Sequence, residues 1–131
     1  MPAVLIIEDN ESSRFVIRSV LERAGYDVVD AATPEEALER CCGESGAQLS
    51  GVVSDVMLGM LPGSEVAVRI REMHPWLPIL FVSGFPSEHL IERGLLHPTD
   101  PFLQKPFPAR VLVNHVDALL NSPKARSFGG S

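Results

Sequence analysis

The sequence predicts an α/β fold, a doubly wound sandwich in which five strand–helix units surround a parallel sheet. Short apolar runs alternate along the 131-residue chain with segments whose apolar residues recur at helical spacing. The apolar runs are nearly continuous, which is typical of strands that helices cover on both faces. Successive strand–helix units favour a parallel sheet with right-handed crossovers. The length and the 45% hydrophobic content suit one domain with a real core.

The first two units have clear boundaries. The run AVLII, over Ala3 to Ile7, is predicted to be a buried strand. The next segment is predicted to be helical from its apolar positions, Val16, Ile17, Val20, Leu21 and Ala24. Gly25 is suited to end this helix, because glycine readily adopts the left-handed conformation found there. A second strand is predicted over 26–32, and a second helix starts with Thr33 as N-cap and Pro34 in its first turn.

The third and fourth units follow the same pattern. The third strand is predicted over Leu49–Asp55 and its helix over 65–73. Between them a loop is predicted from the turn-forming residues Gly59, Pro62 and Gly63. The fourth strand is predicted over 78–84 and is followed by a short helix over 87–93.

The fifth unit completes the domain. The segment 97–101 contains two prolines close together and cannot be helical. A short last strand is predicted over Phe102–Gln104, before Lys105 and Pro106. The last helix shows one apolar face, formed by Leu112, Val116, Leu119 and Leu120. Residues 122–131 lack apolar periodicity, so the prediction is a domain over 1–121 with a disordered tail or linker over 122–131.

Composition excludes several classes of function. The net charge is −6 and the chain has only two lysines without a basic cluster, which argues against direct nucleic-acid binding. Because the sequence has neither an apolar stretch of about 20 residues nor a signal peptide, we expect a cytoplasmic protein without direct membrane contact. Cys41 and Cys42 are adjacent and match neither a disulfide framework nor a metal spacing, so we expect core or helix-face thiols.

Reactive side chains follow four of the five predicted strands. Glu8 and Asp9 follow the first strand, Asp55 ends the third, Ser83 ends the fourth and Lys105 follows the fifth. The carboxyl ends of parallel strands meet at one edge of the sheet, where ligands bind in such folds. Each residue alone has an ordinary explanation as a turn residue, an N-cap or solvated surface. Their joint position at one edge favours a functional site.

These residue types fit magnesium-dependent phosphoryl chemistry. Three carboxylates repel one another unless a cation lies among them, and Mg²⁺ prefers such hard oxygen ligands. Lys105 can neutralise a phosphoryl oxygen, and the Ser83 hydroxyl can donate a hydrogen bond to another. A carboxylate can also act as the nucleophile, so Asp55 can be both metal ligand and phosphoryl acceptor.

The chain resembles the receiver domains of bacterial two-component response regulators. The resemblance rests on the segments IIEDN, VVSDVML, ILFVSG and FLQKPF in this order and extends from about Val4 to Leu120. It implies a flavodoxin-like fold with a five-stranded parallel sheet of order 2-1-3-4-5. The segments FVSGF and FLQKPF resemble those of receiver domains that are attached to hybrid sensor kinases or that occur as stand-alone proteins.

The resemblance implies a role for each site residue. Asp55 matches the phosphoacceptor, which takes its phosphoryl group from a histidine kinase or a histidine phosphotransfer protein. The metal ligands for Mg²⁺ (or Mn²⁺) correspond to Glu8, Asp9, Asp55 and the backbone carbonyl of Met57. Lys105 matches the lysine of the family pattern, whose bond to the next proline is typically cis. The switch positions correspond to Ser83 and Phe102.

Two positions depart from the family pattern. The acidic pair is Glu8–Asp9 instead of two aspartates, so the longer Glu8 can reach the metal through water. Phe102 stands where Tyr is frequent, and it has no hydroxyl to hold an inward or outward position. Phe102 is therefore either a switch residue or a plain core aromatic.

The sequence thus predicts a phosphorelay switch that catalyses only its own phosphorylation and dephosphorylation and is otherwise not an enzyme. A downstream protein is expected on the face built from residues 87–120, with the first helix towards the kinase or phosphotransfer protein. No output domain is expected after the fifth helix. Two alternatives stay open: a receiver-like module that only binds partners, and a small Mg²⁺-dependent phosphatase. Met57 disfavours the phosphatase, because it occupies the position where such enzymes carry a second Asp.

Overall fold

The five predicted apolar runs form one parallel sheet in the computed structural model, which describes residues 2–121. The strands are β1 (Ala3–Ile7), β2 (Asp27–Ala31), β3 (Leu49–Asp55), β6 (Ile79–Ser83) and β7 (Phe102–Gln104). Between β3 and β6 a short antiparallel hairpin forms from β4 (Met57–Leu58) and β5 (Leu61–Pro62). The sheet has the order β2-β1-β3-β6-β7. Counted within the sheet, this is the predicted order 2-1-3-4-5.

The described residues contain six helices, five between strands and one after the last strand. They are α1 (Glu11–Arg23), α2 (Pro34–Arg40), α3 (Gly43–Ala47), α4 (Gly63–Met73), α5 (Ser87–Glu92) and α6 (Ala109–Leu120). The predicted N-cap of α2 is confirmed, since the Thr33 side chain accepts a hydrogen bond from the Glu36 amide. Gly25, which follows the end of α1, has φ 99°, a left-handed value that favours glycine.

Helices cover both faces of the sheet, which explains the continuous apolar strands. In β1, Val4 and Ile6 pack on one side with α1 and α6, whereas Leu5 and Ile7 pack on the other with α2, α4 and α5. The α6 residues Leu112 and Val116 are fully buried, in agreement with the predicted apolar face. Burial of these side chains is the main source of stability, at about 25 cal/mol per Å² of apolar surface.

Two segments differ from the sequence prediction. Residues 57–62 form a hairpin instead of an irregular loop, with Gly59 at φ 65° in its turn. The helix α3 was not predicted, because GESGA contains two weak helix formers. A close local approach of the backbone accounts for Gly46, since a Cβ there would lie 1.9 Å from the carbonyl oxygen of Cys41.

The two cysteines have different environments. Cys41 is buried, and burial raises the pKa of its thiol to about 11, with the neighbouring Cys42 adding to the effect. Cys42 is exposed. Within residues 2–121 no helix is both long and apolar enough to cross a bilayer. The predicted tail over 122–131 lies outside the described residues.

Candidate functional site

The sheet brings the predicted site residues to its carboxyl edge. Asp55 is the last residue of β3 and pairs with Val82, so it lies beside the end of β6. The amide of Lys105 donates to the carbonyl oxygen of Ser83 at 2.7 Å, which ties the end of β7 to the end of β6. Glu8 follows β1 directly, and its amide donates to the end of β2. Residues that are far apart in the sequence therefore meet in one place.

Three carboxylates cluster at this edge. Glu8, Asp9 and Asp55 each offer an oxygen atom, and these atoms all lie within 4.8 Å of one another. Their exposure differs: Glu8 is only 1% exposed, Asp55 is half-buried and Asp9 is exposed. Three negative charges at such distances repel one another strongly, since part of the cluster is shielded from water. The cluster is stable only with positive charge close by.

Lys105 supplies one positive charge to the cluster. Its Nζ donates to Glu8 Oε2 at 2.6 Å and to Asp55 Oδ2 at 3.0 Å. Burial alone would lower the pKa of Lys105, but the contacts with Glu8 and Asp55 raise it above its ordinary value. The ammonium group is therefore charged at neutral pH. One cation against three carboxylates leaves a net negative site.

Glu8 turns inward, towards Lys105 and the first turn of α1. Its carboxylate also accepts from the Asn10 amide at 3.1 Å and from Ser13 Oγ at 3.3 Å. Burial raises the pKa of Glu8, and the adjacent Asp55 adds to this effect, while Lys105 and Asn10 oppose it. Sequence reasoning did not select Asn10 or Ser13. The Asn residue just before the first helix was the available signal, because Asn10 is also the N-cap that accepts from the Ser13 amide.

The hairpin after β3 contacts the other two carboxylates. The Gly59 amide donates to Asp9 Oδ2 at 3.0 Å, and the Met57 amide donates to Asp55 Oδ1 at 3.3 Å. The backbone of Met57 thus lies beside the cluster, where its carbonyl was predicted to bind metal. Gly63 approaches so closely that a Cβ would lie 2.2 Å from the carbonyl oxygen of Asp55. Sequence reasoning assigned Gly59 and Gly63 only to a loop.

The two predicted switch residues lie at different depths. Ser83 is 5% exposed, and its Oγ accepts from the Phe85 amide at 3.1 Å. Phe102 is half-buried, pairs with Phe81 across β6 and β7, and packs against the core cluster beneath α4 and α5. The Lys105–Pro106 bond is cis, as the family resemblance implies.

The donor set of the cluster suits a small hard cation. All three groups are carboxylates, which are the ligands that Mg²⁺ and Mn²⁺ prefer. The exposed Asp9 leaves the cluster accessible from solvent, and the single ammonium group does not neutralise it. The residues present therefore fit a divalent cation.

Comparison with known proteins finds relatives over most of the chain. The family model described as response regulator receiver domain matches residues 4–117. The transcriptional regulatory protein PhoP of Bacillus subtilis, named for alkaline phosphatase synthesis, is 35% identical over 89% of this chain, which spans 48% of PhoP. The response regulator receiver protein CpdR of Brucella abortus is 33% identical over 92% of this chain and 98% of CpdR.

The fold is also found among solved structures. The receiver domain of the hybrid histidine kinase CckA superposes with a TM-score of 0.75 at 27% identity, over 91% of this chain and 99% of that domain. The relatives thus include both a protein about twice as long as the matched region and proteins that this chain covers almost completely.

Proposed function

This chain belongs to the response regulator receiver domain family, and on that premise we propose that it is a cytoplasmic phosphoacceptor switch. Asp55 takes a phosphoryl group from the phosphohistidine of a histidine kinase or a histidine phosphotransfer protein. The observation that carries the proposal is the environment of Asp55, whose carboxylate lies within reach of both Lys105 Nζ and two further carboxylates. This combination provides a nucleophile, a fixed cation and a set of metal ligands.

A divalent cation, Mg²⁺ or Mn²⁺, would be held by this chain's own oxygen atoms. Asp9, Asp55 and the backbone carbonyl of Met57 would contact it directly. Glu8 would contribute through water, because its carboxylate is already bound to Lys105, Asn10 and Ser13. When bound, the ion offsets the repulsion between the carboxylates and the incoming phosphoryl oxygens.

The transfer is an in-line substitution at phosphorus. A carboxylate oxygen of Asp55 forms a bond to phosphorus while the bond to the donor's imidazole nitrogen breaks, and that nitrogen keeps the electron pair. The Met57 amide, which donates to Asp55 Oδ1, orients the carboxylate. The Lys105 ammonium group, which contacts the Asp55 carboxylate before transfer, neutralises the phosphoryl oxygens after it. In the later hydrolysis a water oxygen forms a bond to phosphorus, the bond between the Asp55 oxygen and phosphorus breaks, and inorganic phosphate and a proton leave while the carboxylate is regenerated. The chain thus catalyses only its own phosphorylation and dephosphorylation.

The signal arises from Ser83. Its hydroxyl turns towards the new phosphoryl group and biases an existing equilibrium of the loop between β6 and α5. The face formed by residues 87–120 then presents a changed surface to a downstream protein. The first helix faces the phosphoryl donor, an assignment supported by the exposed apolar side chains of Phe15 and Val16 on α1.

Phosphorylation at a single residue tests the proposal. The wild-type protein, incubated with Mg²⁺ and acetyl phosphate, should gain one phosphoryl group by intact mass spectrometry. Asp55→Asn should gain none, because an amide is a poor nucleophile. Asp27→Asn is the matched control, since Asp27 is an exposed carboxylate at the start of β2. An unlabelled wild type would favour a module that only binds partners, and labelling of Asp55→Asn would contradict the assignment of Asp55.

A further inference from the structure

The loop after β6 joins a buried hydroxyl to an exposed aromatic ring. Ser83 is buried, whereas Phe85, two residues later, is 59% exposed. The two are connected by the hydrogen bond from the Phe85 amide to Ser83 Oγ. The position of Ser83 Oγ therefore fixes the backbone from which the Phe85 ring projects.

The Phe85 ring has a defined neighbour. It stacks on the imidazole of His89, with ring centroids 5.4 Å apart and an angle of 27° between the planes. His89 lies in α5, a six-residue helix without a side-chain hydrogen bond at its N-cap. Leu90, which is fully buried, anchors that helix to the core. The stack thus connects the loop to a fixed point on α5.

The loop has room to move. A Cβ at Gly84 would meet nothing within 4 Å, so open space lies beside the residue that joins Ser83 to Phe85. Phe102 is the opposite case, because it lies within the sheet beside Phe81 and packs against the core. Because Phe102 is half-buried, its ring would lose packing contacts with the core if it moved outward. Of these two aromatic residues, Phe85 is the one that is free to respond.

We infer that Phe85, with His89 as its resting partner, is the aromatic switch of this protein, and that Phe102 serves to pack the sheet against the core. The inference rests on the proposed function of Asp55 and Ser83. When Ser83 turns its hydroxyl towards the phosphoryl group, the Phe85 amide loses its acceptor. The loop then rearranges, the Phe85 ring leaves His89, and the uncovered imidazole becomes part of the surface that a downstream protein contacts.

The imidazole resonances of the wild-type protein provide the test. The chain has four histidines, and a ring stacked on an aromatic face has proton resonances displaced upfield. Spectra are recorded with Mg²⁺ alone and with Mg²⁺ and beryllofluoride, a mimic of the phosphoryl group, while ¹⁹F resonances report whether the mimic is bound. On binding, the His89 resonances should move downfield, towards those of an unstacked imidazole. His74 is an internal control that should stay unchanged, because it is buried against Trp76 elsewhere in the fold.

Two matched variants distinguish the role of Phe85 from that of Phe102. Phe85→Leu should show downfield His89 resonances before beryllofluoride is added and no further change afterwards. Phe102→Leu should keep the wild-type response. If the wild type shows bound ¹⁹F resonances but its His89 resonances do not move, the inference is overturned and the proposed function stays intact. The same holds if Phe102→Leu loses the His89 response while Phe85→Leu keeps it. If no bound ¹⁹F resonance appears, the proposed function fails and this inference fails with it.

Discussion

At the scale of single residues, Lys105 links the functional groups of the site. Its Nζ contacts Glu8 and Asp55, which precede it by 97 and 50 residues in the sequence. The same ammonium group offsets carboxylate repulsion in the resting protein and can neutralise phosphoryl oxygens after transfer. Lys is suited to this double role, because its charge lies at the end of a flexible chain and is not bound to one planar geometry.

Substitution of this lysine should separate phosphorylation from signalling. Lys105→Ala is expected to be labelled slowly by acetyl phosphate, because Asp55 and the metal ligands are still present. The loop at 84–86 should no longer respond to the phosphoryl group, since the charge that detects it is gone. Amide NMR shifts of that loop measure the response, and Arg69→Ala, which removes an exposed cation from α4, is the control. A wild-type loop response in Lys105→Ala would refute this role.

Tyr26 lies away from the site, and its phenol is hydrogen-bonded to the carboxylate of Asp117. Burial of its ring, together with a hydrogen bond to the Asp117 carboxylate, raises the pKa of the phenol to about 12. Because the folded pKa lies above the unfolded value of 10.0, the stability from this group is present below pH 10 and is lost as the pH rises through about 12. Absorbance at the tyrosinate band measures the pKa directly, since this is the only tyrosine of the chain.

Asp117→Asn tests the contribution of the carboxylate to that shift. The phenol pKa should fall towards the ordinary value in this variant, although burial of the ring should keep it somewhat raised. A wild-type pKa near 10 would show that the phenol is not held by this contact.

At the scale of elements, the strand ends depend on close backbone contacts with the segments that follow. The hairpin of β4 and β5 returns the chain so that α4 begins directly above Asp55. The Gly63 amide donates to the carbonyl oxygen of Val56, and its Cα faces the carbonyl of Asp55. Position 63 therefore requires a residue without a Cβ, because the atoms it would meet are backbone atoms that cannot move aside easily.

Gly63→Ala should therefore be destabilising and should impair the site. The added Cβ would force the start of α4 away from Asp55, at a cost of about 1–3 kcal/mol in the free energy of unfolding. Urea denaturation measures the loss, and the rate of labelling by acetyl phosphate should fall as well. Gly84→Ala is the control for stability, because its Cβ would enter open space. Equal stability of the Gly63→Ala protein and the wild type would contradict the close contact.

At the scale of the whole molecule, repulsion between carboxylates at the carboxyl edge of the sheet opposes the stability that the core provides. The helices on both faces bury the strands, but the three carboxylates at the edge carry more negative charge than Lys105 offsets. This arrangement reduces the stability of the metal-free protein. Any cation that binds the folded site, and not the unfolded chain, recovers part of that free energy.

Added Mg²⁺ should therefore raise the thermal stability. At a concentration about 100-fold above its Kd, a single bound ion adds about 2.7 kcal/mol to the free energy of unfolding. For a domain of this size that gain corresponds to a Tm increase of several degrees. Asp9→Asn should lose this response and should be more stable than the wild type without Mg²⁺, because one repelling charge is gone. An unchanged Tm for the wild type with Mg²⁺ would contradict a cation site in the cluster.

The local sequence signals predict five strand–helix units in a parallel sheet and the residues at its carboxyl edge, and the strand order follows from the family resemblance. Apolar runs and helical periodicity are local signals, and chain order with right-handed crossovers turns them into one sheet. The positions of Asp55, Ser83 and Lys105 follow from where each strand ends. The same local signals failed for α3, where Gly46 lies directly against the backbone of Cys41, and for the hairpin at 57–62, whose Gly59 amide donates to the distant Asp9.

The contacts between these side chains are visible only in the three-dimensional structure. Glu8 is buried because α1 and Lys105 enclose it, and neither its exposure nor its partners can be derived from the segment VLIIEDN. The stack of Phe85 on His89 and the packing of the half-buried Phe102 against the core likewise depend on residues from different segments. These contacts cannot be predicted from local patterns, because such patterns determine only the course of the backbone. Hydrogen-bond partners and burial depend on residues brought together from the whole chain.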